Sequence, residues 1–129
     1  MTSRRHATVA GVGSALPDRV VPNAWFEDFV ETSDEWIRER TGIRERRFAA
    51  DGQATSDLAL QATRRALDAA SIEPEQVDLL ICATLTPDTP IPAASVWVQR
   101  KLGIACPAFD LNAACAGFSY AVSTGAAFI

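Results

Sequence analysis

The sequence predicts an α/β fold with a largely parallel sheet. Three observations carry this reading. Residues 77–85, "VDLLICATL", form a near-continuous apolar run, the mark of a strand covered on both faces. Helical patterns separate that run from the segments read as strands before and after it. Glycines stand where two of those helices should stop, at Gly42 and Gly103.

The first strand is read over 7–15, "ATVAGVGSA", from its small and β-branched residues. Gly11 and Gly13 lie inside it, but position 16 is Leu16, so a dinucleotide-binding fingerprint fails at its third glycine. The two glycines point instead to close backbone packing or a bulge. Residues 23–31 read as a short helix. Thr32, with Glu35 three positions later, makes a capping box for the next helix, which Gly42 ends. The clearest helix spans 56–70. Its Leu58, Ala59, Ala62, Ala66, Ala69 and Ala70 share one face, mostly alanine, so a neighbour can approach closely. After the punctuation of "EPEQ", the strand 77–85 and the loop "TPDTPIP", Pro92 suits a helix start. Ala94, Val98 and Leu102 then repeat every four residues. "PAFDL" (107–111) is the next strand, and a last helix opens near Cys115.

The chain has 129 residues, 48% of them hydrophobic and 22% charged, the composition of an ordinary soluble globular protein. A domain of this size buries roughly two-thirds of its unfolded surface. The net charge of −4 argues against nucleic-acid binding, and the apolar runs are too short to span a membrane. The N-terminus has no apolar h-region, so no signal peptide is expected. Cys82, Cys106 and Cys115 are odd in number and form no CxxC pair, and His6 is the only histidine. No metal site and no disulfide framework follow, and a reducing, cytoplasmic setting fits.

Chemistry in such sheets collects at the carboxyl ends of strands, where Cys115 falls. Unpaired amides and the dipole at a helix start favour a thiolate, whereas burial opposes it. Ala113, Ala114, Ala116 and Gly117 leave room for a substrate to reach the sulfur, and the Cys115 amide is placed to hold an oxyanion. The arrangement is that of a nucleophile elbow with sulfur in place of a hydroxyl. The competing reading is a small buried hydrophobe, the role assigned to Cys82 within its apolar strand and to Cys106 at a strand entry.

"TSDEWIRERTGIRERR" and "LGIACPAFDLNAACAGFSYA", with the pattern between them, closely resemble β-ketoacyl-acyl carrier protein synthase III of the thiolase-fold superfamily, from about residue 8 to the end. The resemblance implies a thiolase-like half-domain over 1–129, the first half of an αβαβα layered arrangement. It implies decarboxylative condensation of an acyl-CoA primer with malonyl-acyl carrier protein, through an acyl-enzyme on Cys115. It places the CoA adenine on Trp36, with Thr32 beside it, and the phosphates on Arg40. Ile91 takes the position from which a side chain crosses a homodimer interface to line the partner's acyl pocket, and Pro107 to Asp110 become candidate subunit contacts. No cofactor is implied beyond acyl-CoA as substrate.

The residues themselves agree in part. Trp36 and Arg40 are four apart and share one helix face, where an indole can stack on a base and a guanidinium can fork onto phosphate. Five of the twelve cationic residues fall between Arg38 and Arg47, which suits an anionic ligand or an acidic carrier protein. Equally, such a pair stacks on itself, and the arginines alternate with Glu39 and Glu45 as a solvated face does. The family's polarising histidine and asparagine belong to its C-terminal half, so residues 1–129 alone are expected to be inactive in condensation. The same resemblance accommodates a thiolase-fold acyltransferase to another acceptor. A noncatalytic dimerisation or carrier-binding fragment is the reading from a different class.

Overall fold

The computed structural model describes residues 6–129. They fall into two compact units, one of Leu16–Gln53 and one that joins residues up to Ala15 with Ala54–Ile129.

In the smaller unit, strand β1 (Arg19–Pro22) pairs antiparallel with β2 (Glu45–Phe48), with Arg19 opposite Phe48 and Pro22 opposite Glu45. Neither strand is predicted from the sequence. The period-2 signal in "ERRF" is hidden because the half-buried positions are Arg46 and Phe48, and Arg46 is a charge. It is accommodated by lying over the Phe26 ring, 4.9 Å from its centroid. Between the strands, the helix expected over 23–31 is a 3₁₀ turn, Asn23–Asp28, and helix α1 follows at Asp34–Thr41. The cap of α1 is Ser33, not Thr32: Ser33 Oγ accepts from the Trp36 amide at 3.1 Å. Gly42 closes the helix in the left-handed conformation at φ 72°, as its position predicts. Val21 and Ile37 are buried apolar side chains of this unit, as is Pro17, and Trp25, Phe26, Phe29 and Phe48 pack as an aromatic cluster.

In the larger unit, helix α2 (Thr55–Ala70) is followed by strand β3 (Leu80–Ala83), helix α3 (Ala94–Leu102), strand β4 (Ala108–Leu111) and helix α4 (Gly117–Ala127). β3 and β4 are parallel, with Leu80 opposite Ala108 and Ala83 opposite Leu111, so the α/β reading and its parallel element hold. The expected strand over 7–15 forms no ladder: no strand among the described residues pairs with it. Its backbone lies instead on the alanine face of α2. A Cβ on Gly11 would come within 2.8 Å of the Ala70 nitrogen and collide with the Ala66 carbonyl, and one on Gly13 would collide with Ala62. Close packing, not a phosphate loop, is what these glycines serve.

Asp110 is a charge in an otherwise apolar strand, and the fold answers it at once. Its carboxylate accepts from the Ala94 amide at 2.7 Å and the Ser95 amide at 2.8 Å, capping α3 from the neighbouring strand. Ala94 and Val98 are the buried apolar side chains here. The loop after β3 is braced in the same way. Asp88 accepts from the Ser56 amide at 2.8 Å, and Thr55 Oγ1 donates to the Thr86 carbonyl at 2.6 Å. Trp97 Nε1 donates to Thr89 Oγ1 at 3.0 Å.

Candidate functional site

Two candidate sites emerge, one in each unit. The first is the turn that leaves β4. The hydrogen bond from the Thr84 amide to the Leu111 carbonyl, 3.2 Å, is the last rung of the parallel ladder. Ala114 then adopts a left-handed φ of 45°, a conformation that costs an alanine about 1 kcal/mol or more. This reverses the chain sharply. Cys115 follows in a 3₁₀ turn, Ala114–Ala116, immediately before α4 and not within its first turn as the sequence suggests. The thiol is exposed, which removes the reading of Cys115 as a buried hydrophobe. Gly117 lets α4 start against β3, since a Cβ there would stand 3.1 Å from that of Ala83. No side chain caps α4; its first amide, Gly117, donates to the Ala114 carbonyl, and the Ala116 amide donates to the Ala113 carbonyl at 3.0 Å.

The other two cysteines are half-buried and unpaired. Cys82 has its thiol pushed up to about 11, first by burial and then by the negative charges of Asp110 and Asp88. It is a protonated thiol, half-buried rather than fully in the core that its place in an apolar strand predicts. Ile91 stands 89% exposed on the braced loop.

The second candidate is the outer face of α1. The four-residue spacing does bring Trp36 and Arg40 together: the guanidinium lies 4.8 Å over the indole, which is 52% exposed. The pair therefore stacks on itself while leaving much of the ring free. Thr32 is half-buried, and its hydroxyl oxygen is enclosed with no hydrogen-bond partner, so in this conformation the hydroxyl is not presented to a ligand. A polar groove of about 550 Å³ runs along another side of the helix, lined by Asp34, Glu35, Arg38, Glu39, Gly42 and Arg44. Neither Trp36 nor Arg40 lines it, because residues two apart on a helix point roughly 200° away from each other. The arginine cluster is largely spent internally. Arg38 pairs with Asp34 and Arg47 with Glu45, both at 3.4 Å, while Arg46 serves Asn23 and Phe26.

Asn23 is the residue that sequence reasoning misses. It is 1% exposed and hydrogen-bonded to Asp34, Ile43 and Arg46, which lie 11, 20 and 23 positions away. The bond it donates is the main reason the Asp34 carboxyl is held below the usual carboxylate range. The only local signal is a polar residue behind the "VVP" run, which reads as a turn.

Against known proteins, the sequence is 53% identical over 125 residues to the β-ketoacyl-[acyl-carrier-protein] synthase III of Laribacter hongkongensis, covering 96% of this chain and 39% of that relative. The fold superposes on the crystal structure of the 3-oxoacyl-[acyl-carrier-protein] synthase III of Aquifex aeolicus with a TM-score of 0.91 and 43% identity, over 95% of this chain and 40% of that one. The chain is similar to the N-terminal portion of these β-ketoacyl-[acyl-carrier-protein] synthases III. It spans about two-fifths of the length of the curated synthases III that it matches. The priming β-ketosynthase of the R1128 polyketide pathway superposes as well, with a TM-score of 0.88 and 39% identity over 98% of this chain and 38% of that one. No family model matches the chain. No helix among the described residues is long and apolar enough to cross a membrane.

Proposed function

We propose that this chain is the acyl-accepting portion of a β-ketoacyl synthase III, with Cys115 as nucleophile and the α1 face as the CoA contact. The observation that carries the reading is the exposed thiol on a strained strand-to-helix turn, in a sequence about half identical to synthases III. The Cys115 thiolate attacks the carbonyl carbon of an acyl-CoA thioester. The tetrahedral oxyanion collapses, the CoA sulfur leaves as a thiolate and takes up a proton, and the acyl group stays on Cys115. The exchange suits sulfur because the bond broken and the bond formed are both thioesters, so little energy separates the two sides. The Cys115 amide is the donor this reading assigns to the oxyanion. Trp36 stacks on the adenine and Arg40 leaves its ring to meet phosphate.

In the full-length synthase the malonyl-acyl carrier protein then loses carbon dioxide, and its carbanion attacks the acyl-Cys115 carbonyl. The histidine and asparagine that polarise the malonyl thioester lie outside residues 1–129. A cytoplasmic, homodimeric enzyme is part of the same reading. The edge of β4 away from β3 has no strand partner among the described residues, which supports pairing there with a second copy.

The test is intact mass after incubation of a full-length synthase carrying these residues with acetyl-CoA. One acetyl group should appear on the unsubstituted protein and none on Cys115→Ala. Acetylation that survives the substitution assigns the nucleophile elsewhere.

A further inference from the structure

We propose that Asn23 is the positioning residue of the CoA-facing helix, fixing both flanks of α1 and with them the presentation of Trp36 and Arg40. The inference rests on reading that pair as the nucleotide contact.

Asn23 Nδ2 has two hydrogens, and both are used. One goes to Asp34 Oδ1 at 2.8 Å, on the first residue of α1. The other goes to the Ile43 carbonyl at 2.8 Å, one residue beyond the Gly42 cap. Asn23 Oδ1 accepts from Arg46 Nη1 in β2. One buried amide thus joins the entry of the helix, its exit and the adjoining strand, using nearly all of its hydrogen-bonding capacity. An eight-residue helix is too short to hold itself in water, so its direction is set by what grips its ends. Other contacts grip one site each: Ser33 at the cap, the Glu27 carboxylate on the Asp34 amide at 3.0 Å, and Ile37 underneath. Among the described residues, Asn23 is the side chain that bonds to both ends of the helix. Trp36 and Arg40 ride on the exposed side of the helix, stacked on each other. Their tips move when the helix tilts, and a nucleotide must meet both at once.

The experiment titrates CoA into the 129-residue chain by calorimetry. Near-UV circular dichroism of the Trp25 aromatic cluster reports whether the smaller unit stays packed. Asn23→Asp keeps the size and the acceptor for Arg46, but removes both donated bonds and sets a carboxylate against Asp34. Its affinity for CoA should fall about tenfold with the near-UV signal retained. In the double variant N23D/D34N the amide and the carboxylate exchange places, so the 23–34 bond re-forms with its direction reversed. Affinity should then recover only part of that loss and stay about threefold below the unsubstituted chain, because the Ile43 carbonyl still lacks its donor. If N23D alone loses its fold, the double variant is read directly, and weakened binding there supports the tie. Unsubstituted affinity in a folded N23D, or in a folded double variant, overturns the positioning role, since neither donates to the Ile43 carbonyl. Trp36→Ala separates the layers. If it binds CoA as well as the unsubstituted chain, or if that chain binds no CoA, the nucleotide reading beneath is lost. If Trp36→Ala weakens binding and N23D does not, only the positioning role is lost.

Discussion

At the scale of single residues, the three cysteines divide by environment. Cys115 is exposed, whereas Cys82 is half-buried and holds its proton to about pH 11. A thiol is alkylated as its anion, so at pH 8 iodoacetamide should label Cys115 and leave Cys82 almost untouched. Peptide mapping by mass spectrometry reads the outcome. Equal labelling of the two would contradict the environments described. This contrast is legible in the sequence, because one cysteine sits inside an apolar run and the other at a seam lined with alanine and glycine. The pairing of Trp36 with Arg40 is legible for the same kind of reason: helix spacing is local. Asn23 is not, since its role comes from three partners brought in by the fold. Thr32 misleads because Ser33, one position on, is an equally good cap and the chain uses that one.

At the scale of elements, the glycine-bearing segment and α2 are matched by backbone contact. Gly13→Ala puts a methyl group into the Ala62 carbonyl and within 2.5 Å of the Ala66 nitrogen, both of them rigid helix backbone. Overpacking of this kind should cost about 1–3 kcal/mol, read as a lower urea midpoint at unchanged slope. Acid acts on other joints. Asp34 and Asp57 both have carboxyls held below their ordinary 3.8, the first mainly by the Asn23 bond and the second mainly by Lys101 Nζ at 2.6 Å. Their contributions to stability are therefore complete above about pH 4 and fade as pH falls through the lowered values. Thermal midpoints should be flat from neutral pH to about 5 and drop below 4. In Asp57→Asn that acid-limb drop should be shallower, and an identical drop would assign it to other groups. The helices are the legible elements, through alanine periodicity in α2 and the glycine stops at 42 and 103. The β1–β2 ribbon is not, because its alternation runs through an arginine. The segment over 7–15 has the composition of a strand, but composition cannot supply a ladder partner.

At the scale of the molecule, little apolar surface is fully hidden. Ala94 and Val98 are the only buried apolar side chains of the larger unit among the described residues, whereas Phe118 is 80% exposed, Phe128 68% and Val122 50%. These three line an open apolar groove of about 930 Å³ with Ile81 and Ala83, beside the edge of β3 that has no strand partner among the described residues. The alanine face of α2 admits a close neighbour, as its small side chains predict: the segment around Gly11 and Gly13 covers it, and α4 is the exposed face. Patches of this kind drive association. The 129-residue chain should bind a hydrophobic dye and associate with rising concentration, and Phe118→Asp should reduce both. Light scattering that shows a dye-free monomer for the unsubstituted chain would contradict this. The α/β architecture is legible because it follows from the order of periodic segments, but which faces meet depends on contacts far apart in the chain.

Asp110 joins these scales. Its carboxylate is bolted to the first two amides of α3, five residues before Cys115. A strand fastened in this way cannot slip by one position without tearing an ionised group from its two donors. The point at which the Cys115 sulfur emerges from the sheet is thereby dictated by a carboxylate five positions earlier in the chain.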